Sequence, residues 1–215
     1  MSLVEPQLAT RPFIISSDTL RGGGDSAART PPGQTLTKKW PVLHYGSVPK
    51  LDPATWELRV WGLCEQPYTL NWEEFSLLPQ IDVTCDIHCV THWSRLDNVF
   101  TGVLTRTLID LARPTPEAKF VMQHAASAPG NDWTTNVPLD EFTEDDCLLT
   151  YLHDGEPLLP EHGFPVRAVV PRLYFWKGAK WITGLELRAN DAPGFWEVNG
   201  YHMHGDPWRE ERFGW

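Results

Sequence analysis

The chain has 215 residues, 41% of them hydrophobic, with eleven Trp, nine Phe and five Tyr; a chain of this size buries roughly 70% of the surface its unfolded form exposes and needs no staple to build a core. A formal charge of -10, from 18 basic and 28 acidic residues, opposes a polyanion and argues against non-specific nucleic-acid binding. Cys64, Cys85, Cys89 and Cys147 are too few and too irregular for a disulfide scaffold. MSLVEPQLATRPF is neither a secretory nor a twin-arginine leader, and no run of 18 apolar residues occurs, so a cytoplasmic protein without a membrane span is expected.

Residues 1 to 39 are expected to form a flexible arm, because SSDTLRGGGDSAARTPPGQTLTKK (16 to 39) has little to bury. One folded domain is expected over 40 to 215. WELRVWG (56 to 62) alternates like a strand and closes on Gly62. In TLNWEEFSLLP (69 to 79), Asn71 as N-cap, Glu74 three residues later and Pro79 as a stop predict a short helix. IDVTCDI (81 to 87) reads as a strand entering a loop, VLTRTLIDLARP (103 to 114) as a helix ended by Pro114, and KFVMQHAA (119 to 126) as a strand. DCLLTYLHDGEPL (146 to 158) turns at Asp154-Gly155, and PVRAVVP (165 to 171) and KWITGLELR (180 to 188) are two more strands. The Trp-, Gly- and Pro-rich stretch from 193 onward predicts a wrapping segment with little regular structure. The sum is an α+β domain dominated by irregular mixed sheet.

Residues 85 to 92, CDIHCVTH, hold two cysteines and two histidines. Zinc would accept such ligands, but the usual C-x2-C or C-x4-C pair is missing and no second pair follows at finger spacing, although His202 and His204 could complete a site. A C-x3-C dithiol lacks the thioredoxin pattern. Burial as a small hydrophobe is the common fate of free cysteine, and is expected for Cys64, Cys85 and Cys147. A fourth reading, a cradle for one essential thiolate, singles out Cys89. Arg167, Arg172, Lys177 and Lys180 crowd one stretch of an otherwise acidic chain, which reads as a local phosphate-binding patch.

HCVTHWSRLDNVFTGV (88 to 103) resembles the cofactor-binding stretch of the sulfite oxidase family, the oxidoreductase molybdopterin-binding domain. It is most similar to small bacterial members related to the catalytic subunit of the periplasmic methionine sulfoxide reductase. The matching positions are Cys89-Val90, Trp93-Ser94 and Phe100-Thr101-Gly102-Val103. DWTTNVPLDEF (132 to 142), residues 153 to 187 and GFWEVNGYHMHGDPWREER (194 to 212) continue the resemblance, which spans roughly 40 to 212.

The resemblance implies a mixed-sheet, sulfite oxidase-type fold and a molybdenum-molybdopterin cofactor with Cys89 as its protein ligand, a soft donor for a thiophilic metal. It implies that Arg167, Lys177 and Lys180 serve the cofactor phosphate. His44 and Tyr45 in LHYGSVP, Trp93, Ser94 and Thr135 would line the cofactor site, with His44 standing where many relatives have Asn. Oxygen-atom transfer is the implied reaction. Sulfite oxidases carry a Cys-x-Gly-Asn-Arg-Arg stretch, whereas CVTHWSR offers only Arg95, six positions on. A neutral S-oxide or N-oxide is therefore expected over sulfite. No haem or dimerisation domain of the larger relatives is apparent, so a separate electron carrier and a monomer are expected. A zinc-stabilised binding module is the alternative from another class.

Overall fold

A computed structural model describes residues 15–16, 25–126 and 133–214. In chain order the strands are β1 (Ile15–Ser16), β2 (Thr35–Leu36), β3 (Glu57–Gly62), β4 (Tyr68–Asn71), β5 (Ile81–His88) and β6 (Trp93–Leu104). They continue with β7 (Phe120–Ala125), β8 (Trp133–Pro138), β9 (Leu148–His153), β10 (Glu156–Pro157), β11 (Arg167–Val169) and β12 (Ile182–Arg188). The helices are α1 (Trp72–Leu77), α2 (Thr105–Ala112), α3 (Leu139–Phe142) and α4 (Phe195–Val198).

Two mixed sheets result. The seven-stranded sheet runs β1-β5-β6-β9-β10, with β11 on β9 and β2 on β6; the five-stranded sheet runs β4-β3-β12-β7-β8. The expected α+β mixed-sheet class is the one observed. The main core joins Leu58 and Val60 of β3, Phe75 of α1, Leu108 and Ile109 of α2, and Leu185 of β12. A smaller cluster of Val83, Cys85, Ile87, Phe100, Leu148 and Val169 lies under the β5–β6 hairpin. Truncating any of these buried aliphatic side chains to Ala would remove about 2–5 kcal/mol.

Local chemistry explains the elements read correctly. In β3, Leu58 and Val60 turn inward while Glu57 and Arg59 stay exposed. Asn71 and Glu74 form the reciprocal capping box at the start of α1. One expectation is corrected. Residues 103 and 104 belong to a strand, and the helix runs only over Thr105–Ala112, ended by Arg113 in the left-handed region. The twelve residues of β6, and β8, went unread because their buried positions do not alternate.

Residues 25 to 36 lie along the β5–β6 hairpin. Arg29 grips Asp86 through two nitrogens, at 2.5 and 2.9 Å, and Asp97 at 2.6 Å, while β2 pairs in parallel with the start of β6.

Candidate active site

Cys89 opens the turn that joins β5 to β6. Its N–H donates to Trp93 O at 2.8 Å, His92 N–H donates back to Cys89 O at 3.1 Å, and His92 takes a left-handed φ of 70° to close the turn. Cys89 as a whole is 9% exposed, and its thiol lies 3.1 Å from the Thr91 hydroxyl. Burial pushes its pKa up, against the Thr91 hydroxyl and the positive charges of Arg212 and Lys180.

The other members of CDIHCVTH point elsewhere. Cys85 packs in the small core. His88 bonds Ser94 Oγ at 2.8 Å, and His92 bonds Gly33 O at 2.9 Å. Among the described residues no group of three or more His, Cys, Asp or Glu converges to hold a metal. The zinc reading therefore finds no ligand set here.

Cys89 faces a cavity of about 240 Å³ whose walls include Trp40, Trp93, Trp133, Trp176 and Trp181. Two cations enter it. Arg167, 1% exposed, gives its guanidinium only to the carbonyls of Ala168, His162 and Gly178, at 3.1 to 3.3 Å, and lies 4.0 Å over the Phe175 ring. Burial pulls its pKa down to about 9. Lys180 Nζ donates to Leu43 O at 2.7 Å and Glu161 O at 2.8 Å. Burial, then the neighbouring Arg167, pull Lys180 down to about 7. Among the described residues neither cation has a carboxylate within ion-pair distance. Buried charge without a counter-ion is costly, so the arrangement calls for an anion.

The sequence-derived candidates divide. Cys89, His44, Trp93, Thr135, Arg167 and Lys180 all line the cavity. Lys177 does not. Its ammonium is enclosed by Glu197 Oε1 and Asn136 Oδ1, both at 2.8 Å, and by Met203 O at 2.7 Å. Ser94 is fully buried against His88, away from the cavity. Tyr45 is 55% exposed and rests on Trp133 and Phe195 at the rim. Sequence reasoning missed Trp40, which stacks on His162 at 3.9 Å between centroids. His162 lines the cavity too, and its position five residues before Arg167 was the available signal.

These residues fit a flat, anionic organic cofactor carrying a thiophilic metal. One thiol, aromatic faces, two cations lacking counter-ions, and a buried Trp93 Nε1 with no acceptor among the described residues supply the donor types required. A family model described as the oxidoreductase molybdopterin binding domain matches residues 45–196. The chain belongs to this family. It is 50% identical over 192 residues to the "Uncharacterized oxidoreductase YuiH" of Bacillus subtilis, covering 89% of this chain and 95% of that one. It is 28% identical over 177 residues to the "Putative protein-methionine-sulfoxide reductase subunit YedZ1" of Azospira oryzae, covering 81% of this chain and 66% of that one. The solved structure of the sulfane dehydrogenase SoxCD from Paracoccus pantotrophus superposes with a TM-score of 0.61 at 24% identity, over 68% of this chain and 41% of that one. The protein is thus an oxidoreductase of the sulfite oxidase family with its fold, as the CVTHWS motif implied.

Proposed function

We propose that the protein holds molybdenum-molybdopterin and reduces a small S-oxide or N-oxide by oxygen-atom transfer, with electrons from a separate carrier. The observation that carries this reading is the Cys89 thiol facing a cavity with two cations, Arg167 buried and Lys180 half-buried, that lack carboxylate partners among the described residues. Cys89 would be the protein ligand of the metal, and Arg167 with Lys180 would neutralise the cofactor phosphate. Trp93, Thr135 and His44 would bound the cofactor, and the indole walls would exclude water around it. The bound cofactor supplies the two-electron redox chemistry; the chain orients it and tunes it. Reducing one oxide takes two electrons and two protons and releases water.

Arg95 supports a neutral substrate. It bonds Asn98 and His153, pairs with Asp154 at 2.6 Å, and is not among the residues lining the cavity. Among the described residues, Arg167 and Lys180 are the only Arg or Lys side chains lining the cavity. Once both serve the cofactor phosphate, none is left for a doubly charged sulfite.

Four free cysteines are consistent with a cytoplasmic location. No helix among the described residues is long and apolar enough to cross a membrane. We assign catalysis to a domain over 40 to 215, acting as a monomer.

The test is metal and pterin analysis after expression with molybdate, expected near one of each per chain. Turnover is then compared between sulfoxides or N-oxides with an artificial reductant and sulfite with an artificial acceptor. Absence of pterin sinks the cofactor assignment, and efficient turnover of dilute sulfite reverses the substrate preference.

A further inference from the structure

The backbone around Cys89 is held by side chains from outside the matched domain. Cys89 O accepts from Gln34 Nε2 at 3.0 Å in addition to His92 N–H. The next carbonyl, Val90 O, accepts from Arg212 NH1 at 2.7 Å in a buried contact. Gln34 and Arg212 flank the 45–196 segment that the family model matches, one before it and one after it.

The two flanking segments also hold each other. Arg212 NH2 donates to Pro32 O at 3.4 Å, and its guanidinium lies 5.0 Å over the Tyr174 ring. Gly33, at a φ of 69°, marks the crossing. A Cβ there would meet Glu210 Oε1 at 2.6 Å and Arg212 NH2 at 3.2 Å. Residues 33 to 35 then fasten the far side of the turn, where Thr35 N–H donates to His92 O at 2.9 Å.

We propose that Gln34 and Arg212 are positioning residues that lock the Cys89 turn and thereby fix the direction of its thiol. The functional weight of this lock rests on Cys89 being the metal ligand, whereas the lock itself rests only on the contacts above. A ligating side chain has to be held within about 0.5 Å of its working position by the groups behind it. Two consecutive carbonyls pinned from opposite flanks remove the rotation that would swing the thiol away. The planar fork of arginine suits the task because it reaches Val90 O and Pro32 O together.

The test uses the full chain and two readouts that need no metal. One is native-state hydrogen exchange at the amides of Thr35, Cys89 and His92, with β12 amides as the global reference. The other is the rate of Cys89 alkylation by iodoacetamide at fixed pH, read by peptide mass spectrometry. Arg212→Ala is expected to speed both at least about tenfold, or about 1.4 kcal/mol, while β12 exchange stays unchanged. Gln34→Ala should act in the same direction and less strongly. Arg212→Lys, which keeps the charge and a donor for Val90 O but not the fork that also reaches Pro32 O, should recover only part of the protection. No acceleration, equal acceleration in β12, or a lysine variant as fast as alanine would each overturn the proposal. A wild-type protein free of molybdenum would instead sink the cofactor assignment and leave the exchange result standing.

Discussion

Lys177 and Glu197 pair at 2.8 Å with neither side chain exposed, behind a cavity wall whose Thr135 and Trp176 donate to the same Glu197 oxygen. Two lysines three residues apart thus have opposite roles, one closed within the protein and one facing the cavity. Lys177→Met should leave the Glu197 carboxylate buried and unpaired and destabilise the fold by about 3–5 kcal/mol. Lys180→Met should leave the melting temperature of the cofactor-free chain nearly unchanged but lower its pterin content. Parallel denaturation curves and pterin release for the two variants check the contrast.

Cys89→Ser should keep the fold and lose turnover, since a hydroxyl is a poor substitute for a soft thiolate. Cys85→Ser should do the reverse. That side chain sits in the small core with Val83 and Ile87, where an unsatisfied hydroxyl destabilises by about 1–3 kcal/mol. Molybdenum content, turnover and melting temperature of the pair separate ligand from core residue.

Arg167 and Lys180 together predict anion binding. Sulfate, whose charge is constant near neutral pH, should stabilise the cofactor-free wild type by up to about 2.7 kcal/mol at a hundredfold excess over its dissociation constant, and so raise its melting temperature more than that of Arg167→Met. Comparing the two proteins cancels the general stabilisation that sulfate gives any fold. The Lys180 pKa is lowered to about 7, so its charge, and the sulfate effect, should weaken as pH rises through that value. An equal shift in both proteins would remove Arg167 from the anion site.

His204 offers a pH test away from the cavity. Its ring lies 2.8 Å from both Glu141 and Glu211. The bond to Glu141 first, then that to Glu211, raise its pKa to about 9 against the opposing effect of burial. A raised pKa means stabilisation that is complete below about 6.5 and lost as pH climbs through about 9. The side chain is 32% exposed, so solvent screening limits the effect to roughly 1 kcal/mol. Melting temperatures at pH 6 and pH 10 should differ less in His204→Gln than in the wild type.

Much of this molecule was legible because local signals agreed with the fold. The Asn71–Glu74 box marks α1 without any tertiary information, and the CVTHWS motif pointed to Cys89 before the cavity was visible. Other assignments needed the strand that the sequence hid. In β6, Asn98 is buried because its amide donates to the Cys85 and Arg95 carbonyls, and Gly102 is pressed against the Leu149 backbone. Neither position looks like part of a hydrophobic alternation. Had β6 been read, the pleat would have separated Trp93 from Ser94, sending one ring to the cavity and one hydroxyl to His88. The cluster from Arg167 to Lys180 failed to sort itself for a related reason. Residues 175 to 177 form a tight helical turn, and charge density along the chain says nothing about which ammonium that turn directs inward.

The clasp on the Cys89 turn also orders events during synthesis. Arg212 meets Val90 across a separation of 122 residues and Pro32 across 180. Contacts of such span form late, because the loops they close must first be organised by nearer contacts. A nascent chain on the ribosome can pair β5 with β6 and hold the Cys89 turn through Gln34 and Thr35, yet lack the Arg212 contact to Val90 O until residue 212 has emerged. If Cys89 ligates the cofactor metal, its thiol would be more open to an incoming cofactor before that last contact forms, and the closing of the clasp would divide an assembly phase from a working phase.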